Sequence, residues 1–551
     1  MSKNLRAVFF QNRAALILIA IGSLNLSLTM IKSGLVYDDF GMGFWGANGH
    51  DGVWHLALIN HLSQGSLRLP IYYNENIVNY HIGFDLLLAL IYKISTIPSP
   101  VLYFQIFPPV IAVALGISSY VFVYLWQKSK SAALWSTFFI YFGGSWGWII
   151  TLVRRQGFGG ESMFWSQQSI STLINPPFAL SLVMIFLGLI FFLKRRWMLS
   201  IIVFGVLIQI KSYAGVLCLG GLLLSAIFHY VKTKDSQLLI MFIGSLVVSI
   251  LISFPLYNYS GGVFIYKPLW FLETMMGLSD RFGWARFGEA MVNYKYGGVW
   301  IKAFIAYLLA FCLFIVGNLG TRLIFLFKKW GTISYIDVFI LTVIMGGIFT
   351  PMLFVQKGTA WNTIQFFYYS LVFVGVYAGI SVNSIKNKYM GIFIILLTLP
   401  TTFGSLKHYL PGTPPAALPK EEIQALKFLA KEPEGVVLTF PYDRLSVKPE
   451  SPIPLYRYES TGYVAAFSGK QLFLEDEMNL DIIGFDWRAR REAVEEFYSS
   501  LDEEFVRNFL KDNDIDYVYW VDGQRATLGE TQLGLERIFE NARVDIYKVI
   551  K

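Results

Sequence analysis

The residues best suited to chemistry in this 551-residue chain are crowded into one short window. Five of the eleven acidic residues found before residue 405, and four of the six histidines, lie between residues 38 and 85. They are Asp38, Asp39, Asp51, Glu75 and Asp85, with His50, His55, His61 and His81. Carboxylates beside imidazoles suit proton abstraction from a hydroxyl group and also divalent metal binding. Because ionisable groups at membrane depth are costly, we interpret this window as a reaction site.

The spacing within the window favours one pair of side chains. Residues 50–64 have a helical pattern that ends at Gly65. At 100° per residue, Asp51 and His55 lie on the same stripe of that helix, one turn apart. The neighbouring stripe holds His50, Trp54 and His61. We therefore expect Asp51 and His55 to be side-chain neighbours, with Asp51 as the candidate base.

The elements that must position these residues are membrane helices. The chain is 55% hydrophobic with a mean hydropathy of +0.51, and apolar runs of about 20 residues recur from residue 14 to residue 404. The sequence predicts a polytopic α-helical membrane protein with 11 spanning helices, or up to 13. The predicted spans are residues 14–31, 106–126, 132–153, 178–193, 197–210, 213–230, 237–257, 299–319, 336–355, 363–382 and 389–404. Residues 82–96 are short for a span, and we interpret them as a re-entrant or interfacial helix.

Charge is distributed unevenly along the chain. Residues 1–404 carry 27 basic and 11 acidic residues, whereas residues 405–551 carry 18 basic and 26 acidic residues. The basic excess thus belongs to membrane loops and lipid head groups, which argues against nucleic acid as a partner. With 11 spans and an inside N-terminus, the basic clusters between helices fall on the cytoplasmic side, with Arg154 and Arg155 as the exception. The first external loop, residues 32–81, and the tail, residues 405–551, then share the outer face.

The tail has a different composition from the rest of the chain. A charged helix from Lys420 is followed by the strand-like stretch 435–440, helices at 485–499 and 502–511, and strands at 515–520 and 543–549. Strands alternating with helices predict a small α/β domain. We therefore divide the chain into a membrane domain, residues 1–404, and a soluble extracytoplasmic α/β domain, residues 405–551.

The order Asp51, His55, Gly65, Pro70 and Tyr80-His81, following one N-terminal helix, resembles the first external loop of GT-C glycosyltransferases. That superfamily includes protein O-mannosyltransferases and lipid A aminoarabinose transferases. The resemblance implies a catalytic acidic residue in this loop, a polyprenyl-phosphate-linked sugar as donor, and transfer on the outer face of the cell membrane to a lipid, glycan or protein acceptor. It covers about the first 130 residues by motif.

The resemblance leaves two candidate carboxylates for the role of the catalytic base. The family often has Asp-Glu at the catalytic position, whereas here Asp51 is followed by Gly52, and the pair Asp38-Asp39 lies nearer the first helix. We favour Asp51 because the downstream spacing matches from that residue, and keep Asp39 as its competitor. His55 is expected to assist the base. The residues expected to bind substrate from this window are Asp38, His50, His61, Glu75, Tyr80 and His81.

A second polar segment, residues 356–365, interrupts two apolar helices on the predicted outer side. Lys357 is positioned to neutralise a departing phosphate, where negative charge grows during glycosyl transfer. Trp361, Asn362 and Gln365 could orient the phosphate or the sugar. A snorkelling lysine beside an interfacial tryptophan is the structural alternative.

The leading hypothesis is an inverting glycosyltransferase of the membrane that needs no cofactor, with a metal held by Asp51 and His55 as a less favoured variant. The chain contains no GxxxxGK[ST], and its GxGxxG run at residues 41–46 lies in the first external loop and not in a βαβ unit, which argues against ATP-driven transport and against a nucleotide-sugar enzyme of Rossmann type. One alternative is a polymerase or ligase using a lipid-linked oligosaccharide. Another is a proton-coupled secondary transporter, although the chain shows no repeat symmetry.

Overall fold

The computed structural model describes residues 12–258, 263–385, 387–445, 451–522, 524 and 533–550. Its main body is a bundle of apolar helices. These are Arg13–Ser27, Val101–Gln127, Lys130–Phe142 with Gly147–Val153, Pro176–Leu193, Trp197–Ile210, Ser212–Thr233, Gln237–Leu256, Trp300–Phe327, Tyr335–Leu353, Ala360–Asn383 and Tyr389–Leu406. Each corresponds to one of the eleven predicted segments, because long apolar runs determine helices locally.

Length and hydropathy divide these helices into groups. Eight of those in the described part of the chain are long and apolar enough to cross a membrane. A ninth span results if Lys130–Phe142 and Gly147–Val153, which meet at a 48° bend, are counted together. Arg13–Ser27 and Trp197–Ile210 are shorter apolar helices. The structure is thus that of a multi-pass membrane protein, and the predicted number of 11 crossings stays a prediction.

The first loop contains its own secondary structure. A short hairpin, Val36–Tyr37 with Gly41–Phe44, precedes the helix Asp51–Ser63, called here the loop helix. The helix Gly83–Ser95 packs against the loop helix and ends before the helical segment that begins at Val101. At 13 residues it is too short to cross the bilayer core, which needs about 20 residues.

A second long loop follows the helix that ends at Leu256. Its strand Phe264–Tyr266 pairs with Phe354–Gln356, which directly follows a membrane helix. The helices Trp270–Gly277 and Ala285–Tyr296 complete this loop. The predicted polar segment at residues 356–365 therefore begins within a two-stranded sheet.

The tail alternates helices and strands, as its sequence pattern indicates. A five-stranded sheet is seen among its described residues, in the spatial order Leu535–Glu540, Val544–Val549, Ile515–Val521, Val436–Thr439 and Gln471–Leu472. The helices are Lys420–Leu429, Leu455–Tyr458, Tyr463–Ser468, Glu477–Ile483, Arg488–Ser499 and Glu503–Asp512. The predicted strands at 435–440, 515–520 and 543–549 coincide with observed strands within one or two residues.

The first loop and the tail are joined by backbone hydrogen bonds. A four-stranded sheet takes its first two strands from the loop hairpin and its other two, Ala416–Leu418 and Ile453–Pro454, from the tail. At the turn of the hairpin, Gly41 has φ +83°, and a Cβ there would lie 2.2 Å from the carbonyl oxygen of Leu418. Glycine is thus required both by the turn and by the close approach of the tail strand. Loop and tail form one structural unit at this end of the bundle.

Candidate active site

Asp51 is the first residue of the loop helix and faces a cavity. Its side chain keeps 47% of its surface exposed, and its Oδ1 lies 3.1 Å from Nδ1 of His50. The positive end of the helix macrodipole favours a carboxylate in this first turn. Desolvation disfavours the ionised form, yet the hydrogen bond and charge of His50, followed by the charges of His55 and Lys211, lower the pKa of Asp51. Asp51 is therefore ionised at neutral pH.

His50 connects Asp51 to the tail. Its Nε2 lies 3.5 Å from Oδ1 of Asp476, and the side chains of His50 and Asp476 are 8% and 0% exposed. Burial alone favours the neutral ring, but the hydrogen bonds and charges of Asp476 and Asp51 raise the pKa of His50 well above its usual value. The ring is a cation placed between two carboxylates.

His55 has a different partner from the one expected. Its Nδ1 lies 2.7 Å from Oδ1 of Asp85, both side chains are buried, and its ring stacks on Tyr103 with centroids 5.5 Å apart. The helix Gly83–Ser95 supplies this carboxylate from 30 residues downstream. The expectation of a direct Asp51–His55 pair is thus corrected, because packing between two helices overrides proximity along one helix. His55 still acts on Asp51 through its charge.

The cavity beside Asp51 has a volume of about 380 Å³. Three parts of the chain form its wall, namely the first loop, the membrane helices and the tail. The lining side chains include amides, hydroxyls and aromatic rings, and the residues are Gly46, Ala47, His50, Asp51, Gln167, Ser171, Ile174, Asn175, Phe178, Trp361, Asn362, Ile364, Gln365, Tyr368, Tyr458, Glu459 and Met478. Aromatic faces with convergent polar groups are the usual composition of a small-molecule site.

The second predicted segment meets the first in this cavity. Trp361, Asn362 and Gln365 all line it, and the Gln365 amide Nε2 donates to Oδ1 of Asn362 at 3.4 Å. Lys357 is exposed on the preceding turn and is absent from the described lining residues. That turn is close to the tail, since a Cβ on Gly358 would lie 2.7 Å from the carbonyl oxygen of Asp481.

The other predicted residues lie away from the cavity lining. His61 is buried within the loop helix, and burial lowers its pKa to about 4. His81 stacks on Tyr80 with ring centroids 4.5 Å apart, and burial, followed by the charges of Lys211 and His55, lowers its pKa. Both rings are neutral at physiological pH. Glu75 is exposed on the loop surface.

Asp38 and Asp39 occupy a different place from Asp51. Both are exposed at the turn of the loop hairpin, where they line a separate groove of about 310 Å³ with Lys420 and Arg543 of the tail. Asp38 forms an ion pair with Lys420 at 3.4 Å. The structure therefore separates the two candidate bases into two clefts.

Several residues of the cavity are absent from the sequence-based prediction. The tail contributes Tyr458, Glu459 and Met478 to the wall, and Asp476 behind it. Asp476 is separated from Asp51 by more than 400 residues, and no local motif marks it. Its one sequence signal is the run Glu475-Asp476-Glu477, three adjacent acidic residues after an apolar strand.

Within the described residues, no group of three or more His, Cys, Asp or Glu side chains is arranged to hold a metal ion. His50 is hydrogen-bonded to Asp51 and lies at ion-pair distance from Asp476, and His55 is hydrogen-bonded to Asp85.

No protein-family model and no curated protein matches this sequence. The arabinofuranosyltransferase AftD from Mycobacteria is similar in structure, with a TM-score of 0.52 and 11% identity over 98% of this chain and 40% of that chain. The oligosaccharyltransferase AglB from Archaeoglobus fulgidus, solved with an inhibitory peptide and a dolichol-phosphate, gives a TM-score of 0.49 at 12% identity over 93% of this chain and 70% of that chain. At such identities the likeness concerns the fold. The chain has the fold seen in this mycobacterial arabinofuranosyltransferase.

Proposed function

We propose that this protein is an inverting membrane glycosyltransferase that moves a sugar from a polyprenyl-phosphate donor to an acceptor hydroxyl on the outer face of the membrane. The observation that carries the proposal is the position of Asp51. Its carboxylate is half exposed at the wall of a 380 Å³ cavity whose lining includes polar and aromatic side chains, in a protein with the GT-C fold.

Asp51 is the base in this proposal. The ionised carboxylate accepts the proton of the acceptor hydroxyl, whose oxygen attacks the anomeric carbon of the sugar. The bond from that carbon to the phosphate oxygen breaks, and polyprenyl phosphate leaves with the bonding electron pair. Because attack and departure occur on opposite faces, the anomeric configuration inverts. The lowered pKa of Asp51 keeps the carboxylate in the form that can accept a proton.

Different parts of the cavity wall are suited to bind the sugar, the phosphate and the acceptor. Trp361 is 48% exposed and presents a ring face on which a sugar can stack, with Asn362 and Gln365 beside it as hydrogen-bonding groups. Lys357, four residues before Trp361, is the candidate to neutralise the leaving phosphate. Tyr458, Glu459 and Met478 support a role of the tail in binding the acceptor.

Contacts between helix ends support the outer location of the site. Asn12, at the start of the first helix, donates to the Tyr120 hydroxyl at 2.8 Å, near the basic turn at Lys128. Ser129 in that turn donates to Asn383 at 3.2 Å, at the end of another membrane helix. The first loop and the tail each follow the C-terminal end of a membrane helix, at the side of the bundle away from this basic turn. Basic turns prefer the cytoplasmic side, so the cavity would face outward.

The test is a transfer assay with purified protein in proteoliposomes containing a polyprenyl-phosphate sugar. We expect Asp51→Asn to lower turnover by about 10²- to 10⁴-fold, the usual contribution of a general base. Asp39→Asn is the matched control, since it makes the same change in the other cleft and should retain activity. Full activity of a folded Asp51→Asn protein would remove Asp51 from this role. Transfer only from oligosaccharide-bearing lipids would instead favour a glycan polymerase or ligase.

A further inference from the structure

The imidazole of His50 is held between two carboxylates that come from distant parts of the chain. Nδ1 lies 3.1 Å from Asp51 in the first loop, and Nε2 lies 3.5 Å from Asp476 in the tail. The three side chains run from the open cavity to the buried interior, since Asp51 is 47% exposed, His50 8% and Asp476 0%.

A carboxylate facing each ring nitrogen favours the protonated form of His50. A neutral imidazole carries one N–H, whereas two ionised carboxylates can only accept hydrogen bonds. The imidazolium ion has an N–H on each nitrogen and can serve both. Without the charge of Asp476, the proton on Nε2 of His50 is therefore no longer favoured.

The other charged groups near this array, among them Glu459 of the cavity wall, already have partners. Glu475 accepts from the backbone N–H groups of Val464 and Ala465, and Glu477 is paired with Arg491. On the side of the first loop, the charges of His55 and Lys211 act on Asp51, and His55 is bonded to Asp85. Asp476 is thus the carboxylate that faces Nε2 of His50.

Asp476 is held firmly in place. It caps the helix Glu477–Ile483, where Oδ1 accepts from the Asn479 backbone N–H at 3.1 Å and Oδ2 accepts from the Asn479 side-chain amide at 2.7 Å. Its φ of +49° lies in the left-handed region, which Asp and Asn adopt more readily than other residues with a side chain. A conformation of this kind persists where the surroundings determine it, and it often marks a functional position.

We propose that Asp476 is a positioning residue of the active site, which keeps His50 protonated and through it keeps Asp51 ionised and oriented toward the cavity. The proposal makes the tail a necessary part of the site, and not only a cover for it. It rests on the proposed function in taking Asp51 as the reacting group.

Asp476→Asn tests this idea with little structural disturbance. Asparagine is as good a helix cap as aspartate and also tolerates the left-handed conformation. It keeps one oxygen for the Asn479 backbone N–H, and a flip of the Asn479 amide lets that oxygen accept from the new NH2, so the variant loses the charge and keeps the cap. We expect His50 to titrate at lower pH in this variant. The titration is measured by NMR of the full-length protein with labelled histidines, and His50→Gln assigns the signal. Transfer should fall on the order of tenfold at pH 8, and its alkaline limb should move to lower pH.

Asp502→Asn is the matched control. Asp502 also caps a tail helix, with Oδ1 accepting from the backbone N–H groups of Glu504 and Phe505, but it is exposed on the tail surface. This variant should leave both the His50 titration and the pH profile unchanged.

The two readouts separate the inference from the proposed function. An unchanged His50 titration in Asp476→Asn overturns the inference, whatever the activity. A shifted titration with an unchanged pH profile of transfer also overturns it, because the coupling would not reach Asp51. A shifted titration together with full activity of Asp51→Asn would leave the charge coupling in place and remove the proposed role of Asp51.

Discussion

Glu422 makes the stability of the tail depend on pH in a direction opposite to that of most carboxylates. It lies in the first turn of the helix Lys420–Leu429, is 0% exposed, and accepts from the Tyr519 hydroxyl at 3.4 Å. Burial, only partly offset by Arg543 and by the hydroxyls of Tyr463 and Tyr519, raises its pKa from 4.5 to about 7. The folded state therefore binds this proton more tightly than the unfolded state, and stability decreases as pH rises through that range.

The magnitude follows from the two pKa values. Each pH unit is worth about 1.4 kcal/mol, so ionisation of Glu422 costs the folded state about 3 kcal/mol in total. About 2 kcal/mol of this develops between pH 5.5 and pH 8. Glu422→Gln has nearly the same shape and stays neutral. Over that interval, the free energy of opening of the tail should therefore rise in the variant relative to the wild type by about 2 kcal/mol.

Hydrogen exchange of the strand Ile515–Val521, which contains Tyr519, is the appropriate assay. Full-length wild type and variant are compared in one detergent at each pH, so that the intrinsic pH dependence of exchange cancels. Glu504→Gln is the control, since Glu504 also lies in the first turn of a tail helix but is exposed. A difference between wild type and Glu422→Gln that stays constant with pH would refute the burial argument.

Two further predictions concern the membrane domain. Gly379→Ala should lower the thermal unfolding midpoint because its methyl group would lie 2.2 Å from the backbone N of Ser136. The control Gly220→Ala, with nothing within 4 Å of the new methyl group, should be neutral or stabilising by up to about 1 kcal/mol. Equal midpoints of the two variants would contradict the packing. Asp85→Leu should destabilise the protein by about 3–5 kcal/mol because it leaves His55 without its buried partner. Adding His55→Phe should recover part of that loss in a denaturant titration, and additive effects of the two changes would argue against the pair.

The sequence predicts most of the helical bundle because its signal is local. A run of about 20 apolar residues determines a helix wherever it lies, and all eleven predicted segments coincide with helices. The bend between Phe142 and Gly147 was not expected, since residues 132–153 read as one continuous apolar run. In the tail, strand-like stretches identified three strands but not Leu535–Glu540, and two-residue strands such as Gln471–Leu472 are too short to show a pattern.

The candidate site could be predicted only in its parts. Helical phasing placed Asp51 at the start of a loop helix, and polar interruption of apolar helices marked Trp361 and Asn362. Their meeting in one cavity depends on tertiary packing, as does the pairing of His55 with Asp85 instead of Asp51. Asp476 is the clearest omission, because its role depends on a contact across more than 400 residues of chain.

The sheet shared by the first loop and the tail also determines when the site can form. Its strand Gly41–Phe44 is synthesised long before its partner Ala416–Leu418, and at about 5–20 residues per second the interval is roughly 20–80 s. During that time the hairpin presents an unpaired edge, which is a template for wrong strand pairing. A chain that stops before residue 416 would contain Asp51 and the membrane helices of the described residues, yet lack Tyr458, Glu459 and Met478 of the cavity wall and Asp476 behind it. The part of the cavity wall that the tail supplies, with Asp476 behind it, is therefore synthesised after the membrane helices of the described residues.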